Sequence, residues 1–174
     1  MTSQLFTPIA LRDLTLPNRI AVAPMCQYSA EEGSATDWHV LHLGSLSLSG
    51  AGLLMIEATG VEAAGRITPG CLGLYSDANE AALAPALAAC RRWGNMPIGI
   101  QLAHAGRKAS CDVPWRGGKF LPQEKGGWQT IAPSAIPFGE NYGTPRAMVR
   151  EDFERVLDGF VNATRRAADR KSVV

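Results

Sequence analysis

The stretch RIAVAPMCQY, residues 19–28, places a run of apolar residues directly before side chains that can bind or react. The apolar part is interrupted at Pro24, which has no backbone N–H to give to a sheet, so a short buried strand is predicted over 19–25. A thioether, a thiol, an amide and a phenol follow at residues 25–28. The residues that carry chemistry therefore stand where this strand is predicted to end.

Two further apolar runs predict strands that carry polar residues near their ends. They are GLLMIEAT at 52–59, which contains Glu57, and MPIGIQLAHAG at 96–106, which contains Gln101 and His104. Continuous apolar runs of this length are typical of parallel strands that are covered on their faces. Capped or amphipathic patterns predict helices between and after the strands, at 36–49, 79–93 and 149–169.

Three other features complete the predicted chain order. Alternating apolar and polar residues at 8–20 predict a hairpin before the first strand. Pro85 lies inside the second helical pattern, so that helix is predicted to begin near 82–84 or to be kinked. The stretch 107–148 is rich in proline and glycine, and an irregular connection of that length is uncommon unless it serves a function.

The predicted fold class is α/β, because strands alternate with helices that can cover them. A doubly wound open sheet and a part of a (β/α)8 barrel both fit this order. An open sheet that binds a nucleotide would carry a phosphate loop, and the sequence has neither GxGxxG nor GxxxxGK[ST]. Catalytic groups in barrels gather at the carboxyl ends of the strands, where the polar residues of this chain lie. We therefore expect a partial (β/α)8 barrel of three βα units and a hairpin, with all helices on one side.

The composition narrows the functional classes. The chain is 46% hydrophobic and 19% charged with a formal net charge of +1, so neither a nucleic acid nor a membrane is an expected partner. No apolar run approaches the roughly 20 residues of a membrane span, and no basic and apolar leader is evident. The four cysteines form no CxxC pair, so we expect reduced thiols in a cytoplasmic protein rather than a disulfide framework or a zinc site.

Several motifs, taken in order, resemble the Old Yellow Enzyme family. They are NRI with PMCQYSA, then DWHVLHLGSLSLSGAGLLMIEATGVEAAGRITPG, GIQLAHAGRK and IAPSAI. Each motif is weak alone, but the ordered set is similar to the bacterial thermophilic-like branch of ene-reductases. The resemblance implies a barrel with non-covalent FMN, in which NAD(P)H reduces the flavin and the activated C=C bond of an enone is then reduced. It also implies a homo-oligomer for the full-length protein.

The resemblance assigns six residues to the flavin. They are Ala23, Pro24, Met25, Cys26, Ala58 and Gln101. The Cys26 thiol is implied to lie near the N5/O4 edge of the ring, where it can tune the reduction potential. Ala58 is small where a side chain would crowd the ring. The Gln101 amide, which is expected to be buried among Ile98, Ile100 and Leu102, offers a donor and an acceptor to the pyrimidine edge. From the residues alone, a structural cysteine, close packing and a glutamine bonded to backbone are the alternatives.

Tyr28 is the substrate-binding candidate, and together with Cys26 it forms the predicted catalytic set. The resemblance implies that its phenol donates to a substrate carbonyl. The alternative is a half-buried loop tyrosine whose hydroxyl is in water. A cysteine hydrolase that uses Cys26 and His104 is a further alternative, but the sequence has no recognisable nucleophile turn for it.

Other polar residues near the strand ends carry weaker expectations. His104 and Arg107 are expected to shape the site and to order the long connection. His39 and His42 are three residues apart on a predicted helix, but no third ligand is evident, so no metal site is predicted. Glu57 is either a general base or a buried carboxylate that binds backbone.

The sequence departs from the family after the last predicted helix. The family continues into a fourth strand with a motif like HxAHGY, which supplies a substrate-binding pair and the usual proton donor, whereas this chain reads RRAADRKSVV at 165–174. Residues 1–174 are therefore expected to be the N-terminal part of one FMN-binding domain, truncated before strand four. The two leading hypotheses are an FMN-dependent ene-reductase and a non-catalytic half-barrel that self-associates or needs a complementing chain.

Overall fold

The computed structural model describes residues 3–169, so the expected departure at 170–174 lies outside the described residues. The strands are β1 (Ile9–Leu11), β2 (Leu14–Leu16), β3 (Ala21–Val22), β4 (Leu53–Gly60), β5 (Ile98–Ala103), β6 (Ile131–Ala132) and β7 (Arg146–Ala147). The α-helices are α1 (Asp37–Ser47), α2 (Asp77–Trp93) and α3 (Arg150–Asp169). Short 3-10 helices occupy Gln4–Phe6, Ala63–Gly65, Gly106–Lys108, Pro114–Arg116 and Gln123–Lys125.

The strands form the predicted hairpin and the predicted parallel sheet. β1 and β2 pair antiparallel, with Ile9 opposite Leu16. β3, β4 and β5 lie side by side in chain order, and both pairings are parallel. β3 is much shorter than the predicted strand over 19–25, because it pairs with β4 over only two residues before Pro24. Parallel strands have their carboxyl ends at one edge, so the residues after β3, β4 and β5 share that edge.

Helix α2 begins earlier than the sequence predicts. Ser76 accepts a hydrogen bond from the backbone N–H of Asn79 at 3.1 Å and caps the helix, which starts at Asp77. Pro85 lies inside the helix with its side chain exposed. The expectation of a start near 82–84 is therefore wrong, because a good N-cap and the burial of Leu83 and Leu87 outweigh the hydrogen bond that Pro85 lacks.

A single hydrophobic core joins the helices to the sheet. Leu43 of α1, Leu87 of α2 and Ala163 of α3 belong to the same buried cluster as Leu54 and Ile56 of β4. The three helices therefore pack on one face of the sheet, as predicted, and the described part of the chain does not form a doubly wound sheet. Both Leu54 and Ile56 are fully buried, which makes β4 the centre of this core.

The long connection between β5 and α3 is more ordered than a structureless loop. β6 and β7 form a short parallel pair within it, and Cys111 and Phe120 form an isolated antiparallel β-bridge. The Arg107 guanidinium donates to the Ile136 carbonyl at 2.9 Å and to Ser134 Oγ at 3.1 Å. Arg107 therefore orders this connection, as predicted from its position at the mouth of β5.

A buried carboxylate fixes the end of the connection to α3. Asp152 is 3% exposed and accepts hydrogen bonds from both terminal nitrogens of Arg146, at 2.6 and 2.8 Å. It also accepts from Arg155 at 2.8 Å and from the backbone N–H of Val149 at 3.0 Å. The Arg146 guanidinium is the main cause that holds the pKa of Asp152 well below its ordinary value of 3.8.

We expect Asp152→Asn to lower the melting temperature at neutral pH. The difference in melting temperature between the two proteins should become smaller as the pH falls. A carboxylate with a depressed folded-state pKa stabilises the protein above its unfolded-state pKa and loses this contribution as the pH falls through the folded-state value. Melting curves of both proteins from pH 7 to pH 2 measure this. Asp158→Asn, an exposed position on the same helix, is the control. A difference that stays constant below the ordinary value of 3.8 would contradict the ion-pair explanation.

Candidate active site

The structure brings six of the seven predicted site residues, all except Tyr28, into one region at the carboxyl edge of the sheet. Ala23, Pro24 and Met25 follow β3 directly and are exposed. Ala58 of β4 is the register partner of Gln101 of β5. The pairing shifts between Ile56 and Ala58, and such an irregularity re-aims the side chains that follow it.

Cys26 joins this region through Ala58 and through a second cysteine. The Cys26 thiol lies close enough to the Ala58 backbone and to the Cys71 thiol for both to shift its pKa. Cys71 is 1% exposed, and its sulfur lies 3.4 Å from both the backbone nitrogen and the hydroxyl of Thr68. Sequence reasoning missed Cys71, because no spacing rule relates these two cysteines.

The two thiols differ in acidity because of this contact. The hydrogen bond from Cys26, together with those from Thr68, lowers the pKa of Cys71 to about 6. The same contact with Cys71, followed by burial and the nearby charge of Glu57, raises the pKa of Cys26. A raised pKa keeps the Cys26 thiol protonated at neutral pH.

Tyr28 occupies a constrained position beside Cys26. Its φ angle is 53°, in the left-handed region that bulky residues rarely adopt. Its ring packs edge-on against Trp115, with ring centroids 6.1 Å apart, and its hydroxyl has no hydrogen-bond partner among the described residues. A cavity of about 350 Å³ opens beside these two rings, so the phenol can reach a bound molecule. Trp115 was not predicted, because it lies in the irregular connection.

Glu57 supports the segment after β3. One carboxylate oxygen accepts from the backbone N–H of Gln27 at 3.1 Å, and the other lies 3.6 Å from His39 Nε2. Glu57 is 4% exposed and His39 is 1% exposed. Of the two roles left open for Glu57, the structure supports the buried carboxylate that binds backbone.

The two helix histidines are engaged with protein groups. His39 Nδ1 accepts from the Thr36 backbone N–H at 3.0 Å, which caps α1. His42 stacks on Trp38, with ring centroids 5.9 Å apart. Within residues 3–169, no group of three histidine, cysteine or acidic side chains is arranged to hold a metal ion.

Gln101 is exposed, whereas the sequence predicts a buried amide. Its neighbours Ile98 and Ile100 point into the helix-covered core, and the alternation of a strand turns Gln101 to the opposite face of the sheet. The exposed carboxamide keeps its donor and its acceptor available to a bound molecule.

His104 lies near the carboxyl edge of the sheet, and both of its ring nitrogens contact other protein groups. Its Nδ1 accepts from the Gly106 backbone N–H at 3.0 Å, and its Nε2 lies 2.8 Å from a carboxylate oxygen of Glu62. Arg155 of α3 binds the other oxygen of Glu62 at 3.0 Å. His104 therefore ties β5 to α3 and is not available as a base for Cys26, which argues against the cysteine hydrolase.

Comparison with known proteins identifies a matching family and several sequence relatives of this chain. A profile of the NADH:flavin oxidoreductase / NADH oxidase family matches residues 4–172. NADH:flavin oxidoreductase FG08077 of Gibberella zeae is 44% identical over 170 residues, which cover 95% of this chain and 41% of that protein. An NADPH dehydrogenase of Geobacillus sp. is 39% identical over 171 residues, which cover 97% of this chain and 46% of that protein. The chain thus spans less than half the length of these two relatives.

A comparison with solved structures leads to the same family as the sequence relatives. The Old Yellow Enzyme homologue from Zymomonas mobilis matches with a TM-score of 0.78 and 28% identity, covering 98% of this chain and 46% of that one. This agreement confirms the resemblance that the ordered motifs predicted. Among residues 3–169, no helix has the length and hydrophobicity needed to cross a membrane.

Proposed function

This chain belongs to the NADH:flavin oxidoreductase / NADH oxidase family, and from that premise we propose that it forms part of an FMN-dependent enzyme that uses NAD(P)H to reduce the activated C=C bonds of enones. The family implies the flavin, and the NADPH dehydrogenase relative implies the nicotinamide. The observation that carries the proposal is the meeting of Cys26, Ala58 and Gln101 at the carboxyl edge of three parallel strands.

The residues at this edge fit the ring of FMN. Ala23, Pro24 and Met25 present exposed backbone and side chain at the end of β3. Across the edge, the small Ala58 leaves room for a flat ring, and the exposed Gln101 amide can pair with a pyrimidine edge that has both donors and acceptors. When bound, FMN would supply the two-electron chemistry that links NAD(P)H to the alkene.

Tyr28 and Cys26 lie on either side of Gln27 in the segment after β3, and they would have different roles. The unpartnered Tyr28 hydroxyl would donate a hydrogen bond to the substrate carbonyl and orient it. The protonated Cys26 thiol would place a weak donor beside the ring and influence the reduction potential. Glu57 holds the Gln27 backbone N–H between them, so the segment is preorganised for both contacts.

We also propose that β3, β4 and β5 are the first three strands of a (β/α)8 barrel and that residues 1–174 correspond to the N-terminal part of one FMN-binding domain. Supporting this, the chain covers 46% of the Zymomonas mobilis homologue while matching it with a TM-score of 0.78. The alternative is a non-catalytic half-barrel. It is favoured by the sheet itself, because β3 and β5 each have one neighbouring strand among the described residues.

Expressed alone, the 174-residue chain is expected to self-associate and to show no enone-dependent oxidation of NADPH with added FMN. Unpaired backbone groups along β3 and β5 provide edges at which another chain can pair. Size-exclusion chromatography and an NADPH assay with 2-cyclohexenone measure the two properties. A monodisperse yellow monomer with turnover would contradict the partial-barrel proposal.

Co-expression tests the proposed activity itself. The partner is the part of the Geobacillus sp. NADPH dehydrogenase that this chain does not match. We expect a yellow complex that oxidises NADPH when 2-cyclohexenone is present, because the partner supplies the missing strands. Tyr28→Phe in the same complex should keep its flavin and lose enone reduction by roughly tenfold, the value of one hydrogen bond. A folded complex that retains FMN but never reduces an enone would favour the non-catalytic alternative.

A further inference from the structure

A small hairpin in the long connection carries Trp115 to the cavity beside Tyr28. Cys111 and Phe120 pair at the base of this hairpin as an antiparallel bridge. The Cys111 backbone N–H donates to the Ile67 carbonyl at 2.9 Å, which fixes the hairpin to the connection after β4. Backbone contacts therefore hold the base of the hairpin whose tip carries Trp115.

The Trp115 indole presents an open aromatic surface at the cavity. Its side chain is 65% exposed, and its ring meets the Tyr28 ring with centroids 6.1 Å apart and planes 79° apart. An edge-on contact of this kind leaves most of the indole free to stack on another flat group. The cavity of about 350 Å³ is at the lower end of the roughly 300–1,000 Å³ range of small-molecule sites.

The charged groups around the cavity are mostly acidic. Among the described residues that line it, Glu31, Glu32 and Asp112 carry carboxylates and Arg116 carries a guanidinium. A second carboxylate brought among these groups by a ligand would meet like charges, which is unfavourable. The cavity therefore favours an uncharged ligand over an anionic one.

We propose that Trp115 is a specificity-determining residue and that this cavity holds the aromatic ring of an uncharged, aryl-substituted enone. The inference rests on the proposed function for the reaction itself and adds the class of substrate. The Tyr28 hydroxyl would donate to the carbonyl, while the Trp115 indole would stack on the aryl group. Alkenes that are activated by a carboxylate would be poor substrates, because the acidic residues around the cavity repel them.

Binding of product analogues to the flavin-free 174-residue chain tests this inference without requiring turnover. The analogue 4-phenylbutan-2-one carries a ketone and a phenyl ring, butan-2-one lacks the ring, and 3-phenylpropanoate carries a carboxylate in place of the ketone. None of these molecules has an alkene that could react with a thiol. Ligand-observed NMR titrations give the three dissociation constants.

We expect 4-phenylbutan-2-one to bind more tightly than the other two analogues. Trp115→Ala should weaken its binding by roughly three- to tenfold because the stacking surface is lost, and Trp115→Phe should restore most of the affinity. Trp93→Ala is the matched control, since Trp93 is 66% exposed at the end of α2 and does not line the cavity. It should leave all three dissociation constants unchanged.

Three results would overturn the inference. They are no binding of 4-phenylbutan-2-one, equal affinity of Trp115→Ala and the unsubstituted chain for it, and tighter binding of 3-phenylpropanoate. The comparison of the three analogues on the unsubstituted chain needs no substitution, so it gives an answer even where a variant folds poorly.

Kinetics of the co-expressed complex separate this inference from the proposed function. With 4-phenylbut-3-en-2-one, Trp115→Ala should raise KM, whereas KM for 2-cyclohexenone, which has no aryl group, should be unchanged. Reduction of both enones with no effect of Trp115→Ala would overturn the role of Trp115 and leave the proposed function intact. The expected binding of the analogues without reduction of either enone would overturn the proposed function and leave the aryl-ketone site.

Discussion

Replacing Leu87 with alanine is expected to lower the free energy of unfolding by about 2–5 kcal/mol. Leu87 is 1% exposed and belongs to the core cluster between the helices and the sheet. The substitution removes buried apolar surface and leaves a cavity that neighbours such as Leu54 and Ile56 cannot fill without shifting. Urea unfolding followed by circular dichroism, at one protein concentration, measures the loss.

Leu41 provides a matched control for this prediction. It lies on α1, in a helix like Leu87, but its side chain is 63% exposed. Leu41→Ala makes the same chemical change without creating a cavity, so the free energy of unfolding should change by no more than about 0.5 kcal/mol. Equal losses for Leu41→Ala and Leu87→Ala would show that α2 does not pack on the sheet as described.

The elements that were predictable from sequence are those whose signals are local. The apolar run over 52–59 became β4, and Thr36, the first residue of the predicted helix 36–49, became the cap of α1. The error at Pro85 arose because a proline is a strong local signal against a helix, whereas the burial that overrides it is tertiary. The sequence does not predict β6 and β7, because strands of two residues have no periodicity to detect.

The candidate site was predictable only where a strand end marks it. Cys26, Ala58 and Gln101 stand at predicted strand ends and do converge. Gln101 was expected to be buried because its neighbours are apolar, but strand alternation turns it away from them. Cys71 and Trp115 come from connections, and nothing local in the sequence says that a loop will return to the strand edge. Such contacts depend on the backbone path, which single-sequence patterns do not encode.

Gln101→Ala is expected to weaken flavin binding by roughly 5- to 150-fold, which corresponds to about 1–3 kcal/mol. The exposed amide can both donate to and accept from the polar edge of the ring. Its removal would leave those ring atoms without a partner. The fold should be unaffected, because the Gln101 side chain lies outside the core cluster.

A fluorescence titration with lumiflavin tests the proposal that the carboxyl edge of β3, β4 and β5 binds the flavin ring. Lumiflavin carries the ring without the phosphate, so it reports on the residues described here. Gln123→Ala, an exposed glutamine in the long connection, is the control. We expect the unsubstituted chain and Gln123→Ala to bind with equal dissociation constants and Gln101→Ala to bind at least fivefold more weakly. Equal affinity for Gln101→Ala, or no binding to the unsubstituted chain, would contradict it.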